Sequence, residues 1–285
     1  MDKRILLFTT IGKIEGETNK FITASFSSWQ RQGADVVVFG EKYHNDLCAE
    51  YGFTLDLDYE KDEFGLPIVR SLFQASQRYV GYDVYCYTNA DIIFHSDLRA
   101  SLNVIPFESY LAVGQRIDIH QLPVIDYRTQ THESISNMIA ECRQELHNAG
   151  GIDYYAFTPQ FWQLDNMPSF SIARGRFDHW LMGYALTKGV GPVVDITKTF
   201  TIYQPEPEER SCGTGDPVEA YNNDNPRLGY QLFRNIVMYT YAGLHGQTDM
   251  APYYLVFREE SPIVIKRTEE AIPANEFNQK LIYSE

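Results

Sequence analysis

"YCYTNADIIFHSDL", Tyr85 to Leu98, is the stretch on which the fold turns. Tyr85, Cys86 and Tyr87 read as a buried strand, and Ile92, Ile93 and Phe94 resume the apolar run. Between them stand Thr88, Asn89, Ala90 and Asp91, a small polar cluster ending in a carboxylate. An acid at the tip of a core strand is costly unless something pairs with it. What surrounds that strand decides what the partner is.

Working outward, "RILLFTT" (Arg4 to Thr10) and "DVVVFG" (Asp35 to Gly40) are short apolar blocks closed by small or polar residues, as buried strands are. Phe21, Ala24, Ser25, Ser28 and Trp29 recur at helical spacing between them, and Gly33 stops the segment. "FTLDLD" (Phe53 to Asp58) predicts a third strand. "PIVRSLFQASQRY" (Pro67 to Tyr79) predicts a helix with proline at its first position. This alternation gives an α/β fold with a doubly wound, mostly parallel sheet flanked by helices. In such sheets ligands bind beyond the carboxyl ends of the strands, where Asn89 and Asp91 sit. Neither GxGxxG after the first strand nor GxxxxGK[ST] occurs, so dehydrogenase and P-loop readings lack support.

The second half is more irregular. "SYLAVGQR" (Ser109 to Arg116) predicts a strand, and Ile135, Met138, Ile139, Cys142 and Leu146 one amphipathic helix stopped by Gly150 and Gly151. "YYAF" predicts a short strand, "FDHWLMGYALTKG" (Phe177 to Gly189) a helix, and "PVVDITKTFTIY" a paired strand and turn. Gln204 to Pro217 is dense in Pro, Gly and charge and predicts a mobile loop over the site. The expectation is a single domain over 1–285, with a nucleotide-binding half (1–115) and a more irregular second half (116–285).

Composition narrows the class. The 285 residues are 44% hydrophobic and 22% charged, which suits a packed core. The net charge of −14 argues against non-specific nucleic-acid binding, which needs clustered Lys and Arg. A nucleotide remains compatible, because a metal ion can stand between carboxylates and a diphosphate. The four cysteines form no CxxC pair, and no apolar run approaches the ~18 residues of a membrane span. "MDKRILLFTTIGK" reads as a first strand and no leader, and the chain carries no Asn-x-Ser/Thr sequon. A soluble, cytoplasmic protein is expected.

A divalent cation bridging to a diphosphate would be a partner for Asp91, with Asn89 two residues earlier pointing to the same side. The alternative is that Asp91 caps the next helix and Asn89 ends a strand. Gly150 and Gly151 permit close backbone approach to a sugar, and Asp153 could accept bonds from its hydroxyls; a glycine stop and turn explains the glycines alone. Arg116 and Asp118 either face the cleft or pair with each other.

The chain resembles the GT-A-type nucleotide-sugar glycosyltransferases, in particular a subgroup of bacteria and large DNA viruses. The resemblance runs through Trp29 and "VVVFGE", "DEFGLPIVRSLF", "YTNADIIF", "VGQRIDI", "GGIDYYAF", "IARGRFDHWL", "VVDITKTFTIY" and "DMAPYYL", in that order. It implies a nucleotide-sugar donor, a glycan or glycoconjugate acceptor, and Mn²⁺ or Mg²⁺ held by Asp91 and Asn89, which stand where a DxD motif would. Thr9, Thr10 and Ile11 would hold base and ribose, with Gly40 and Glu41 near the same nucleoside. Arg70 would lie near the phosphates, or be a solvated helix charge. "RGRFDHW" resembles the acidic motif beside the acceptor, with Asp178 as the base of an inverting transfer or, alternatively, a helix N-cap. His179 and Trp180 would line the sugar site, or Trp180 would belong to the core. The related sequences carry histidines where this chain has Tyr203 and Glu206; His245 is the histidine downstream, either a replacement contact or a plain surface residue. A non-catalytic sugar-binding protein and a glycoside hydrolase are the rival readings.

Overall fold

The computed structural model describes residues 2–14, 16, 18–206, 226–258 and 261–267. In chain order the strands are β1 (Ile5–Thr10), β2 (Asp35–Phe39), β3 (Thr54–Asp56), β4 (Val84–Thr88), β5 (Ile93–Phe94), β6 (Leu111–Val113) and β7 (Ile117–His120). They continue with β8 (Gln144–Leu146), β9 (Tyr154–Phe157), β10 (Val193–Asp195), β11 (Ile202–Glu206), β12 (Tyr253–Arg258) and β13 (Ser261–Lys266). The helices are α1 (Thr18–Arg31), α2 (Asn45–Tyr51), α3 (Val69–Ser76), α4 (Leu98–Asn103), α5 (His132–Ala140), α6 (Phe177–Lys188) and α7 (Pro226–Ala242).

Nine strands form one sheet in the order β13-β12-β10-β6-β9-β4-β1-β2-β3. All run the same way except β9, antiparallel to both its neighbours, and the edge strand β13. The strands alternate between two cores, as the pleat requires. Leu6, Phe8, Val37, Phe39, Tyr85 and Tyr87 pack on one face with α3 and α6. Ile5, Leu7, Val36, Val38, Val84 and Cys86 pack on the other with α1, α2 and α4. This is the three-layer α/β architecture that the apolar blocks imply.

A second sheet, β5-β11-β7-β8, lies beyond the carboxyl ends of the first. β5 follows β4 after the Asn89–Asp91 turn, so the cluster is the hinge between the sheets. Trp29 on α1 fixes that hinge: its indole N–H donates to the Ile92 carbonyl at 2.8 Å, fully buried. The antiparallel course of β9 brings its first residue, Tyr154, opposite Thr88, the last of β4. Asp153 thereby reaches the same edge as Asn89.

Three expectations need correction. α3 begins at Val69 rather than Pro67, because Ile68 is extended and bridges Ser171. α5 ends at Ala140, since the chain turns there and Leu146 belongs to β8, paired antiparallel with β7. "PVVDITKTFTIY" splits between the sheets: β10 pairs with β6 and β12, and β11 with β5 and β7. Gln204 to Glu206 close β11, and the rest of the expected loop, 207–217, lies outside the described residues.

Replacing Trp29 by Phe leaves the buried Ile92 carbonyl without its donor, a loss of about 1–3 kcal/mol. Urea unfolding should show this as a lower midpoint with unchanged slope; an unchanged midpoint would mean that the hinge does not depend on the bond.

Candidate functional site

The carboxyl edge of the large sheet gathers the candidate residues. Asn89 is bonded on both sides of its amide: its Oδ1 accepts from the Tyr87 hydroxyl and its Nδ2 donates to Asp153 Oδ1, each at 2.8 Å. Its backbone N–H also donates to the Asp153 carbonyl. Asp91, half-buried in the turn, accepts from the Gln204 amide at 2.9 Å. Burial pushes its carboxyl above the usual range, the Gln204 bond opposes that, and the nearby Asp153 adds to it. Asp91 caps no helix; Asp97 caps α4 instead.

Asp153 is buried, and its Oδ2 takes the Arg116 guanidinium at 2.6 Å. The same guanidinium donates through Nε to Asp118 Oδ1 at 2.8 Å, and Asp118 Oδ2 bonds His147 Nδ1 at 2.6 Å. Burial works against charge on Asp118, but the bonds from His147 and Arg116 outweigh it and hold its carboxyl below the usual range. So Arg116 and Asp118 do pair, and also face the site. The chain His147–Asp118–Arg116–Asp153–Asn89 crosses from the small sheet to the large one.

The two glycines serve this network. A Cβ on Gly151 would meet His147 Cδ2 at 2.3 Å, and one on Gly150 would meet His179 Cε1 at 2.8 Å. The close approach expected for a sugar is here the approach of two imidazoles.

Asp178 lies in the first turn of α6, whose cap residue is Arg176. Its Oδ1 accepts the His179 backbone N–H at 2.8 Å. Burial raises its pKa, His179 counteracts this, and Asp153 reinforces it. Burial raises the Tyr87 phenol, and the charges of Asp153, Asp91 and Asp178 add to that; the Tyr155 hydroxyl of β9 donates to the Asp178 carbonyl at 3.1 Å and so ties the start of α6 to the same strands. His179 stacks on His245 with ring centroids 4.9 Å apart and contacts the Gly246 carbonyl. Burial drives the His245 pKa down to about 4; it is no plain surface histidine. Trp180 is 1% exposed and stacked on Tyr184, so it is a core residue and presents no face to a sugar.

At the carboxyl end of β1, Thr9 and Thr10 commit their hydroxyls to the Thr88 and Phe39 carbonyls of neighbouring strands, and Ile11 is buried. The accessible surface lies just beyond them. A cleft of about 650 Å³ is lined by Lys13 and Ile14 after β1, Asn19 at the start of α1, Tyr43 and His44 after β2, and Leu47 of α2. His44 joins the loops: Nδ1 accepts from Glu41 N–H at 2.9 Å and Nε2 contacts the Gly12 carbonyl at 3.0 Å. Gly40 has no side chain because a Cβ would meet His44 Nδ1 at 2.7 Å. Glu41 pairs with Lys61. Arg70 is half-buried at the start of α3, 3.5 Å from the Met167 carbonyl.

Ala90 occupies the turn between Asn89 and Asp91, packed on the second core. Glu206 lines a separate cleft of about 780 Å³ with His120 and Cys142, remote in sequence from the strand-edge carboxylates. His44, His147 and Gln204 are the residues that sequence reading missed; no spacing marks them, and only the alternation along β11 sets Gln204 opposite to Tyr203.

The metal expectation fits this chemistry in part. Mg²⁺-type sites are often completed by one or two carboxylates with substrate phosphates. Asp91 offers Oδ1, and the Asn89 oxygen retains one lone pair beside its bond to Tyr87. Among the described residues no group of three or more His, Cys, Asp or Glu is arranged to hold a metal ion.

No protein-family model matches the chain, and neither does any curated protein. Solved structures similar to it include S. aureus TarS 1-349 in complex with UDP-GlcNAc, at 11% identity, 83% of this chain, 66% of that chain and a TM-score of 0.49. Another is the mannosyltransferase PcManGT from Pyrobaculum calidifontis in complex with GDP-Man and Mn²⁺, at 10% identity, 85% and 75% coverage and a TM-score of 0.45. HddC from Yersinia pseudotuberculosis is similar at 12% identity, 77% and 97% coverage and a TM-score of 0.41. These likenesses are remote. Among the described residues no helix is long and apolar enough to cross a membrane.

Arg116→Gln strands two buried carboxylates, and breaking such a network costs about 3–5 kcal/mol. Arg116→Lys keeps the charge but not the fork and should fall between. Chemical denaturation of the three proteins checks the order; a Gln variant as stable as wild type would contradict the network's structural role.

Proposed function

We propose that the chain is a glycosyltransferase, moving a sugar from a nucleotide-diphosphate donor, a UDP-sugar by preference, to a hydroxyl of a glycan acceptor. The observation that carries this reading is the acidic edge of a mostly parallel sheet: Asp153 bonded to Asn89, Asp91 two residues further along the same turn, and Asp178 tied to β9 through the Tyr155 hydroxyl. The 650 Å³ cleft beyond β1 and β2 is then the nucleoside site. Open α/β sheets bind nucleotides at that edge.

In the proposed reaction each residue has one task. Lys13, Tyr43 and the Gly12–Ile14 backbone hold the nucleoside, and Arg70 lies on the phosphate side. Asp91, with Asn89, would hold Mn²⁺ or Mg²⁺, which when bound neutralises charge on the diphosphate. Arg116 fixes Asp153 and through it Asn89, so the turn meets the donor already ordered. Gly150, Gly151 and His179 form the wall beside Asp178. The Asp178 carboxylate takes the acceptor hydroxyl's proton while that oxygen bonds the anomeric carbon. The bond from that carbon to the phosphate oxygen breaks, and its electron pair leaves with the nucleoside diphosphate. Attack opposite the leaving group inverts the anomeric centre. A raised pKa suits Asp178 to this task, because a stronger base takes the proton more readily.

Both oxygens of Asp153 are already bonded, to Asn89 and Arg116, which leaves Asp178 the better base. Asp178→Asn keeps size and helix position but cannot accept a proton at neutral pH. With a panel of nucleotide sugars and added glycans, the variant should bind donor normally and lose about 10²–10⁴-fold in transfer rate. Retention of most activity would remove Asp178 as base. Release of pyrophosphate from a nucleoside triphosphate, with no sugar transfer, would replace the reading by nucleotidyl transfer.

A further inference from the structure

A third cleft opens at the carboxyl ends of β6 and β10, with a volume of about 540 Å³. Its lining includes Gln115, Asp195, Lys198, Tyr254, Lys266 and Arg267. Gln115 precedes Arg116 in the chain and donates to the His147 carbonyl at 2.8 Å, so this cleft adjoins the charge network.

The charges in it run against the rest of the molecule. The chain carries a net charge of −14, yet the cleft presents Lys198, Lys266 and Arg267. Asp195 does not offset the lysines. Its Oδ1 accepts from the Thr197 N–H at 2.9 Å and the Thr197 hydroxyl at 2.6 Å, and its Oδ2 takes Arg267 Nη2 at 2.5 Å. Among the described residues neither Lys198 nor Lys266 is held by a carboxylate. The remaining acid of the lining is Asp249. Arg267 and Lys198 both lie over the Tyr254 ring, at 5.0 and 5.8 Å from its centroid, which holds two cations at one wall.

Arg267 adds a second observation. Its Nη2 is spent on Asp195 and its Nε is buried away from solvent, so the guanidinium is a fixed part of the wall. Two ammonium groups beside it suit a tetrahedral phosphate or a carboxylate.

We infer that this cleft receives an anionic group, a phosphate or carboxylate carried on a sugar, and that the acceptor of the reaction is therefore an acidic glycan. Calling the ligand the acceptor rests on the transferase reading; the anion site itself does not.

The test uses the full chain without nucleotide, with α-D-glucose 1-phosphate, D-glucuronate, D-glucose and inorganic phosphate as probes in NMR titrations. At least one charged sugar should bind about tenfold or more tightly than glucose, and the Lys198→Gln/Lys266→Gln protein should lose about tenfold for each lysine removed. The phosphate-bearing and carboxylate-bearing probes tell the two anions apart. Equal binding of glucose and both charged sugars would overturn the inference, as would affinity unchanged by the double substitution. Inorganic phosphate binding as tightly as the sugar phosphate would reduce the cleft to an adventitious ion site and overturn it too. UDP-sugar binding, measured separately at the other cleft, shows whether the transferase reading fails on its own.

Discussion

The guanidinium of Arg116 bonds Asp153 on one sheet and Asp118 on the other, and the geometry of the polar centre depends on that one cation. Two buried acids, one from each sheet, repel each other and resist burial. A fork-shaped donor between them turns that liability into a fixed distance. The bond reaches further through Asp153, which orients the Asn89 amide, and through Asp118, which orients His147. A lysine could supply charge but could not hold both carboxylates and the imidazole in one plane.

The fold supplies this centre by topology. Because β9 runs against its neighbours, its first residue stands beside the last residue of β4, and Asp153 meets Asn89 through the backbone as well as the side chain. Because β5 leaves the large sheet directly after Asp91, the small sheet starts at the site and returns Gln204 to it. The absence of side chains at Gly40, Gly150 and Gly151 lets His44, His179 and His147 pack against backbone. Three imidazoles are thereby set around the carboxyl edge at positions where a methyl group would not fit.

Much of the fold is legible in the sequence because each central strand is buried on both faces. "RILLF", "DVVVF" and "DVYCY" are continuous apolar blocks for that reason. What is not legible follows from weak local signals. β8 is exposed at every residue, so nothing in "QEL" marks a strand, and Leu146 falls in phase with a helix that has already ended. At the site, Asn89, Asp91, Asp153 and Asp178 stand out as acids or amides at element ends. Their partners do not. Gln204 meets Asp91 across 113 residues and Arg116 meets Asp153 across 37, separations that no periodicity encodes. Trp180 misleads in the opposite way: its type suggests sugar stacking, while the turn of α6 buries it against Tyr184.

The central claim is that a nucleotide sugar sits along the carboxyl edge of the large sheet, between the Lys13–His44 cleft and the Asp91 turn. Amide hydrogen exchange with and without saturating nucleotide sugar and Mn²⁺ tests it most directly, because it reports every loop at once. The account predicts slower exchange at residues 11–14, 40–44, 89–92 and 150–153, with the far edge at β13 unchanged. Protection confined to other segments, or no protection with any sugar nucleotide of a broad panel, would contradict it.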